Sequence, residues 1–168
     1  MKKEMEMTRI KKEFEEIIGY EYIKKELYRI CDIMQNEEVY RNLGVSIPNG
    51  IMLDGKPGMG KTLMAKCLIN ASGRTAFICR KNKPNGDFVN TIKQTFEDAK
   101  NKAPSIILLD DLDKFANEDE KHLDAEEYVT VQACMDEVKE YNVFVIATTN
   151  NLEKLPKSLK RAGRFDCI

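Results

Sequence analysis

The sequence predicts an α/β protein, a three-layer sandwich in which a parallel sheet lies between two layers of helices. Runs at 51–53, 75–79, 105–109 and 142–148 are apolar throughout rather than alternating, the pattern of strands covered on both faces. Stretches with helical periodicity separate these runs in regular turn, which is the order of βαβ units. A length of 168 residues suits one domain with a sizeable core.

Composition narrows the function classes. Hydrophobic residues make up 42% and charged residues 33%, a soluble globular balance rather than a disordered one. Lys and Arg total 27 against 28 Asp and Glu, a net charge of -1, so no basic excess speaks for nucleic acid as a partner. Five cysteines, Cys31, Cys67, Cys79, Cys134 and Cys167, form no CxxC pair and read as reduced, buried thiols of a cytosolic protein. No apolar run is long enough to span a bilayer, and the mixed Lys/Glu start is not a signal peptide. The expected location is cytoplasmic, with membrane attachment only through segments outside this chain.

Taken in order, residues 1–13 form a charged lead-in, with Met1, Met5 and Met7 on a fraying or partner-packing helix, and the domain proper runs over 14–168. Ile23, Leu27, Ile30, Ile33 and Met34 predict a helix from Tyr20 to about Arg41. A connector ending Pro48-Asn49-Gly50 leads into the strand Ile51 to Leu53. A helix from Lys61 to about Ala71 follows, then a strand over Thr75 to Cys79. Phe88, Ile92, Thr95 and Phe96 mark a helix from Asp87 to about Lys100. A third strand occupies Ser105 to Leu109, a helix Ala125 to about Glu140, and a fourth strand Asn142 to Thr148. In parallel sheets of this kind ligands sit beyond the carboxyl ends of the strands. Three polar segments follow directly on such ends: the glycine-rich loop after the first, Asp110 after the third and Asn150 after the fourth.

The loop Gly55-Lys56-Pro57-Gly58-Met59-Gly60-Lys61-Thr62 fits the GxxxxGK[ST] pattern between a strand and a helix that continues through Leu63. Its glycines let backbone N–H groups turn inward onto phosphate oxygens without a Cβ clash, and the helix N-terminus adds its dipole. Lys61 is expected to reach the β- and γ-phosphates, and Thr62 to offer its hydroxyl to Mg²⁺. Asp54, immediately before the loop, is expected to face solvent or a basic partner. Asp110 is the candidate for the Mg²⁺ water shell, because Mg²⁺ is commonly held by few protein carboxylates. Asp111 is the candidate to polarise the attacking water, with Asp113 its less favoured neighbour. Asn150 suits hydrogen bonds to that water and to a phosphate oxygen, although Asn150-Asn151 also reads as a simple turn. Arg161 and Arg164, by spacing alone, read as surface arginines. His122 has no ligand partners at metal spacing, and Glu118, Asp119 and Glu120 lack the spacing and glycine of a Ca²⁺ loop, so both are assigned to a solvated loop.

Together these motifs resemble those of the AAA+ ATPases, a branch of the P-loop NTPases, and FtsH-type zinc metalloproteases in particular. GKPGMGKT looks like their Walker A motif and IILLDD like Walker B. VFVIATTNNLEKLPKSLKRAGRFD resembles their second region of homology, and Phe14 to Leu27 the segment leading into the core. The resemblance implies ATP or ADP with Mg²⁺ as cofactors, Asn150 as the sensor-1 residue, and Arg161 and Arg164 as fingers reaching the next subunit of a homo-hexameric ring that acts on protein substrates. It also places Ile18 and Gly19 beside the adenine. Three departures stand out. Asp111 replaces the family's Walker B glutamate, which predicts slow hydrolysis with binding retained. Arg80-Lys-Asn-Lys-Pro-Asn-Gly86 is short and basic where the family carries an aromatic pore loop. Ile168 falls where the fifth strand should begin, ahead of the helical lid and of any HExxH motif, so the stretch is expected to be a large ATPase subdomain of a longer protein.

Overall fold

A computed structural model describes residues 1–83, 87–117, 125–161 and 163–168; the side chain of Cys167 is outside the description. The readings on Glu118, Asp119, Glu120 and His122, and the end of the basic stretch at 84–86, lie outside the described residues. The sheet is built from β1 (Gly50–Asp54), β2 (Thr75–Arg80), β3 (Ser105–Asp110), β4 (Val143–Thr149) and β5 (Asp166–Cys167). Its order is β2-β3-β4-β1-β5 and every pairing is parallel. The fifth strand, expected to begin where the chain ends, already pairs its first two residues with Ile51 and Met52. Ile168 continues the ladder, donating to the Met52 carbonyl and accepting from the Asp54 amide.

Six helices flank the sheet among the described residues: α1 (Lys2–Glu13), α2 (Glu21–Gln35), α3 (Glu37–Asn42), α4 (Lys61–Ser72), α5 (Val89–Asn101) and α6 (Glu126–Glu137). The continuously apolar strands split their side chains by the period of two. Ile51, Leu53, Ile106, Leu108, Phe144 and Ile146 face one layer, built from α1, α2 and α4. Met52, Ile107, Leu109, Val145 and Ala147 face the other, built from α5 and α6. This is the predicted three-layer sandwich.

Two expectations need correction. The helix from Tyr20 to Arg41 is broken at Asn36, where α2 ends and α3 begins. The Asn36 side-chain amide donates to both the backbone carbonyl and the carboxylate of Asp32, and the Tyr40 hydroxyl donates to the same carboxylate. Local side-chain bonds of this kind compete with the helical ladder. The charged lead-in is a packed helix, because α1 buries Ile10 and is followed by the buried Phe14. Arg9 donates to the Ala71 carbonyl at the end of α4, supplying a partner to one of the carbonyls a helix terminus leaves open.

Four cysteines, Cys31, Cys67, Cys79 and Cys134, are free and buried. Burial pushes the Cys31 thiol up to about 12 and the Cys79 thiol up to about 11, which removes both from thiolate chemistry. Among the described residues, no helix is long and apolar enough to cross a membrane.

Gly50 sits where β1 is squeezed between its two neighbours. A Cβ there would lie 2.6 Å from the Val145 carbonyl oxygen and 3.1 Å from both the Arg164 carbonyl oxygen and the Phe165 ring. Gly50→Ala should therefore destabilise the domain by about 1–3 kcal/mol, as overpacking a filled interior does; chemical denaturation of the two proteins measures it.

Candidate nucleotide site at the carboxyl ends of the strands

The sheet order brings the three polar strand ends together, because β4 lies between β1 and β3. The loop after β1 turns at Gly58 and Gly60, both with φ of 81° and open space where a Cβ would point. Only glycine adopts that backbone freely, and it leaves the loop amides accessible. The Gly55 amide donates to the Thr149 carbonyl, tying the start of the loop to β4. Helix α4 begins directly after Gly60 with no side chain capping its first turn, so its leading N–H groups open onto the loop as an anion-binding end. Lys61 folds back over the loop, with Nζ donating to the carbonyls of Gly55 at 2.7 Å and Lys56 at 2.9 Å. Asp54 is exposed, as expected.

Asp110 closes the site from β3. Its buried carboxylate accepts from the Thr62 hydroxyl at 3.0 Å and from the Thr148 hydroxyl at 2.7 Å, both on Oδ1. Thr148 in turn accepts the Asp111 amide at 2.9 Å. Thr62 and Asp110, the predicted metal pair, are therefore in direct contact. An aliphatic hydroxyl and a carboxylate side by side are hard oxygen donors, and a single carboxylate suits an ion that keeps several of its waters. The donor set fits Mg²⁺.

Asp111 takes the left-handed conformation, φ 55° and ψ 55°, which short acidic side chains tolerate better than most. Its Oδ2 accepts from Arg80 Nη2 at 3.0 Å and lies 3.5 Å from Lys114 Nζ. The Asn150 side-chain amide sits 3.5 Å from its Oδ1. Asn150 is itself held by its backbone amide, which donates to the buried carboxylate of Asp113. Asp113 is thus a support for Asn150 rather than a second water-polarising acid.

Tyr20, which follows Ile18 and Gly19, donates its hydroxyl to Met59 Sδ of the loop at 3.8 Å. Gly19 and Tyr20 both have positive φ, 79° and 56°, and this kink leaves Ile18 92% exposed. Phe88 packs edge to face on Phe115 with ring centroids 4.8 Å apart and is buried, so it does not replace a pore-loop aromatic.

The two arginines of RAGRFD part company. Arg161 is exposed. Arg164 is 8% exposed and grips Asp136 of α6 with Nε at 3.1 Å and Nη2 at 2.7 Å, while Nη1 donates to the Ser158 carbonyl at 2.8 Å. The guanidinium of Arg164, read above as a finger extended to a neighbouring subunit, is engaged within this chain by an internal fork-to-fork pair. Those hydrogen bonds, aided by Lys139, hold the Asp136 carboxyl down at about 2.

A sequence profile of the ATPase family associated with various cellular activities (AAA) matches residues 51–168. The chain belongs to that family. An ATP-dependent zinc metalloprotease FtsH of Ureaplasma parvum serovar 3 is 32% identical over 161 residues, covering 91% of this chain and 22% of the relative. FtsH 2 of Thermoanaerobacter sp. is 34% identical, with 91% of this chain and 32% of the relative covered. A probable inactive ATP-dependent zinc metalloprotease of Arabidopsis thaliana chloroplasts, FTSHI 4, is 35% identical over 92% of this chain and 20% of the relative. The chain thus spans between a fifth and a third of the length of these relatives, and FtsH-type ATPase domains are its homologues.

Among the residues around this site, sequence reasoning missed Thr148 and Asp136 and read Arg80 only as the start of a basic stretch. The Arg164–Asp136 pair carries a testable pH dependence. The Asp136 carboxyl is depressed below its unfolded value of about 3.9. Its contribution to stability is therefore full above about pH 4 and is lost as the pH falls towards 2. Asp136 is 45% exposed, so solvent screening reduces the size of the effect. Asp136→Asn should lower the melting temperature at neutral pH and flatten its fall between about pH 4 and 2. Thermal scans across that range decide it, and the swap Asp136→Arg with Arg164→Asp should recover part of the loss.

Proposed function

We propose that this domain binds Mg-ATP between the Gly55–Thr62 loop and Asp110 and hydrolyses it slowly, as the motor module of an FtsH-like AAA+ protein that acts on protein substrates. The observation that carries the proposal is the Thr62–Asp110 contact at 3.0 Å, which joins the loop helix to the acidic strand end at the one place where phosphate and metal must meet. The loop amides and the α4 N-terminus receive the phosphates, and Lys61 exchanges its carbonyl partners for phosphate oxygens, a stronger charge-assisted contact. Mg²⁺ bound at Thr62 and Asp110 supplies charge neutralisation at the phosphates. Asp111 and Asn150 orient the attacking water. Ile18 and Gly19 line the base. Arg161, the exposed member of the arginine pair, is the residue we assign to the neighbouring subunit's nucleotide in a ring, by analogy with the family.

The slow rate follows from Asp111. Its carboxylate is one methylene shorter than the family's glutamate, and displacements near 1 Å at a reacting centre cost up to about a hundredfold in rate. Asp111→Glu should raise ATP turnover at saturating nucleotide; a rate equal to or below that of the parent would contradict the assignment.

The same shorter acid supports a second reading, an ATP-dependent assembly switch that holds nucleotide for long periods and recruits a partner without threading substrate. The basic stretch beginning at Arg80 and the burial of Phe88 favour it over a gripping pore. Steady-state turnover of the full-length protein, with and without an unfolded polypeptide, separates the two: stimulation supports the motor, and an indifferent slow rate supports the switch.

A further inference from the structure

Of the eight methionines, Met34, Met52, Met64 and Met135 are buried, and Met1, Met5 and Met7 belong to the charged start of the chain. Met59 stands apart, 42% exposed in the glycine-rich loop between the two turning glycines, Gly58 and Gly60. Its stem covers the start of the loop, where a Cβ added at Gly55 would meet Met59 Cγ at 3.8 Å. Its sulfur accepts the Tyr20 hydroxyl at 3.8 Å. Tyr20 opens α2 in the left-handed conformation, φ 56° and ψ 37°, which is costly for a bulky side chain. The contact ties the segment ahead of α2 to the loop ahead of α4, across 39 residues of sequence. A thioether is a weak acceptor, so in the reduced protein this clasp is light.

We propose that Met59 is a modification site for hydroperoxides, and that its sulfoxide tightens the Tyr20 clasp at the mouth of the nucleotide site and weakens binding there. The inference rests on the nucleotide reading above, in which Ile18 and Gly19 line the base and the loop receives the phosphates. The clasp then joins the two segments a nucleotide has to bridge. In the modification a sulfur lone pair attacks one oxygen of the peroxide and the O–O bond breaks. Sulfur gains a bond to oxygen and gives up two electrons; the other oxygen takes them with a proton and, when the oxidant is hydrogen peroxide, leaves as water. A flexible apolar side chain becomes a polar, chiral one, and methionine sulfoxide reductases reverse the change. The sulfoxide oxygen carries partial negative charge and accepts far better than the thioether sulfur, so the Tyr20 hydroxyl is held more firmly. The same oxygen brings negative charge to a loop whose amides and Lys61 are arranged for an anion. Cys31, Cys67, Cys79 and Cys134 do not compete for the oxidant, because all four are buried.

The test treats the full-length protein with dilute hydrogen peroxide. Peptide mass spectrometry should find the added oxygen on Met59 well before it appears on Met34, Met52, Met64 or Met135. Isothermal titration should then show an affinity for Mg-ATP about tenfold weaker than before oxidation, and methionine sulfoxide reductase should restore it. Met59→Leu, compared with itself before and after peroxide, should show no change, which separates Met59 from the exposed Met1 and Met5. A second readout needs no nucleotide. Amide hydrogen exchange over residues 18–20 and 55–62 should slow on oxidation of the parent, and should not slow in Tyr20→Phe, which lacks the hydroxyl. Oxidation of Met59 no faster than that of the buried methionines, an affinity it leaves unmoved, an equal peroxide effect in Met59→Leu, or exchange unaltered in the oxidised parent would overturn the proposal. If the reduced parent bound no Mg-ATP, the nucleotide reading would fall, and the order of oxidation with the exchange rates would still decide whether oxidised Met59 clasps Tyr20.

Discussion

The arrangement depends on one buried carboxylate. Asp110 Oδ1 receives hydroxyls from Thr62 on α4 and Thr148 on β4, and Thr148 also receives the Asp111 amide. Three elements that follow one another only at long sequence separation are thereby fixed at a single oxygen. A buried carboxylate held by two hydroxyl donors is strongly tied, and losing a donor would leave it under-satisfied. The glycine-rich loop, the acidic strand end and Asn150 hold their mutual positions because this knot sits beneath them.

Around that knot charge is divided by depth. Lys61 lies over the loop on backbone carbonyls, and Arg80 is exposed at the rim beside the acidic strand end. Arg164, by contrast, is buried against Asp136 and the Ser158 carbonyl, and its own amide donates to the Arg161 carbonyl. The Asn49 side chain reaches across to the Gly163 carbonyl. The turn that carries Arg161 is therefore anchored to α6 on one side and to the entry of β1 on the other. A rigid mounting of this kind lowers the entropy cost of presenting a charged side chain outward.

Much of this was legible in the sequence, and the boundary is instructive. The sandwich could be read because unbroken apolar runs such as Ile106 to Leu109 admit little else than a strand buried on both faces. The phosphate loop could be read because its glycines and Lys61-Thr62 lie within eight consecutive residues. Thr148, and the meeting of Arg80 with the acidic strand end, escaped notice because they arise from strand register: Arg80 opposes Asp110, and Thr148 sits beside it, only once β2, β3 and β4 have paired. The break at Asn36 escaped because the helical apolar period runs up to it, while side-chain hydrogen bonds that the period does not encode end the helix. Arg161 and Arg164 are the same residue type three positions apart, and only burial tells them apart.

The central claim is that the amides of the Gly55–Thr62 loop, with Lys61 above them and Asp110 below, form a triphosphate cradle. Isothermal titration of the full-length protein and its Lys61→Ala variant with Mg-ATP tests this most directly. The account predicts saturable binding by the parent and an affinity at least about tenfold weaker in the variant, a loss of roughly 1.4 kcal/mol or more. Equal affinities in the two folded proteins, or no binding heat from either at any temperature tried, would contradict it.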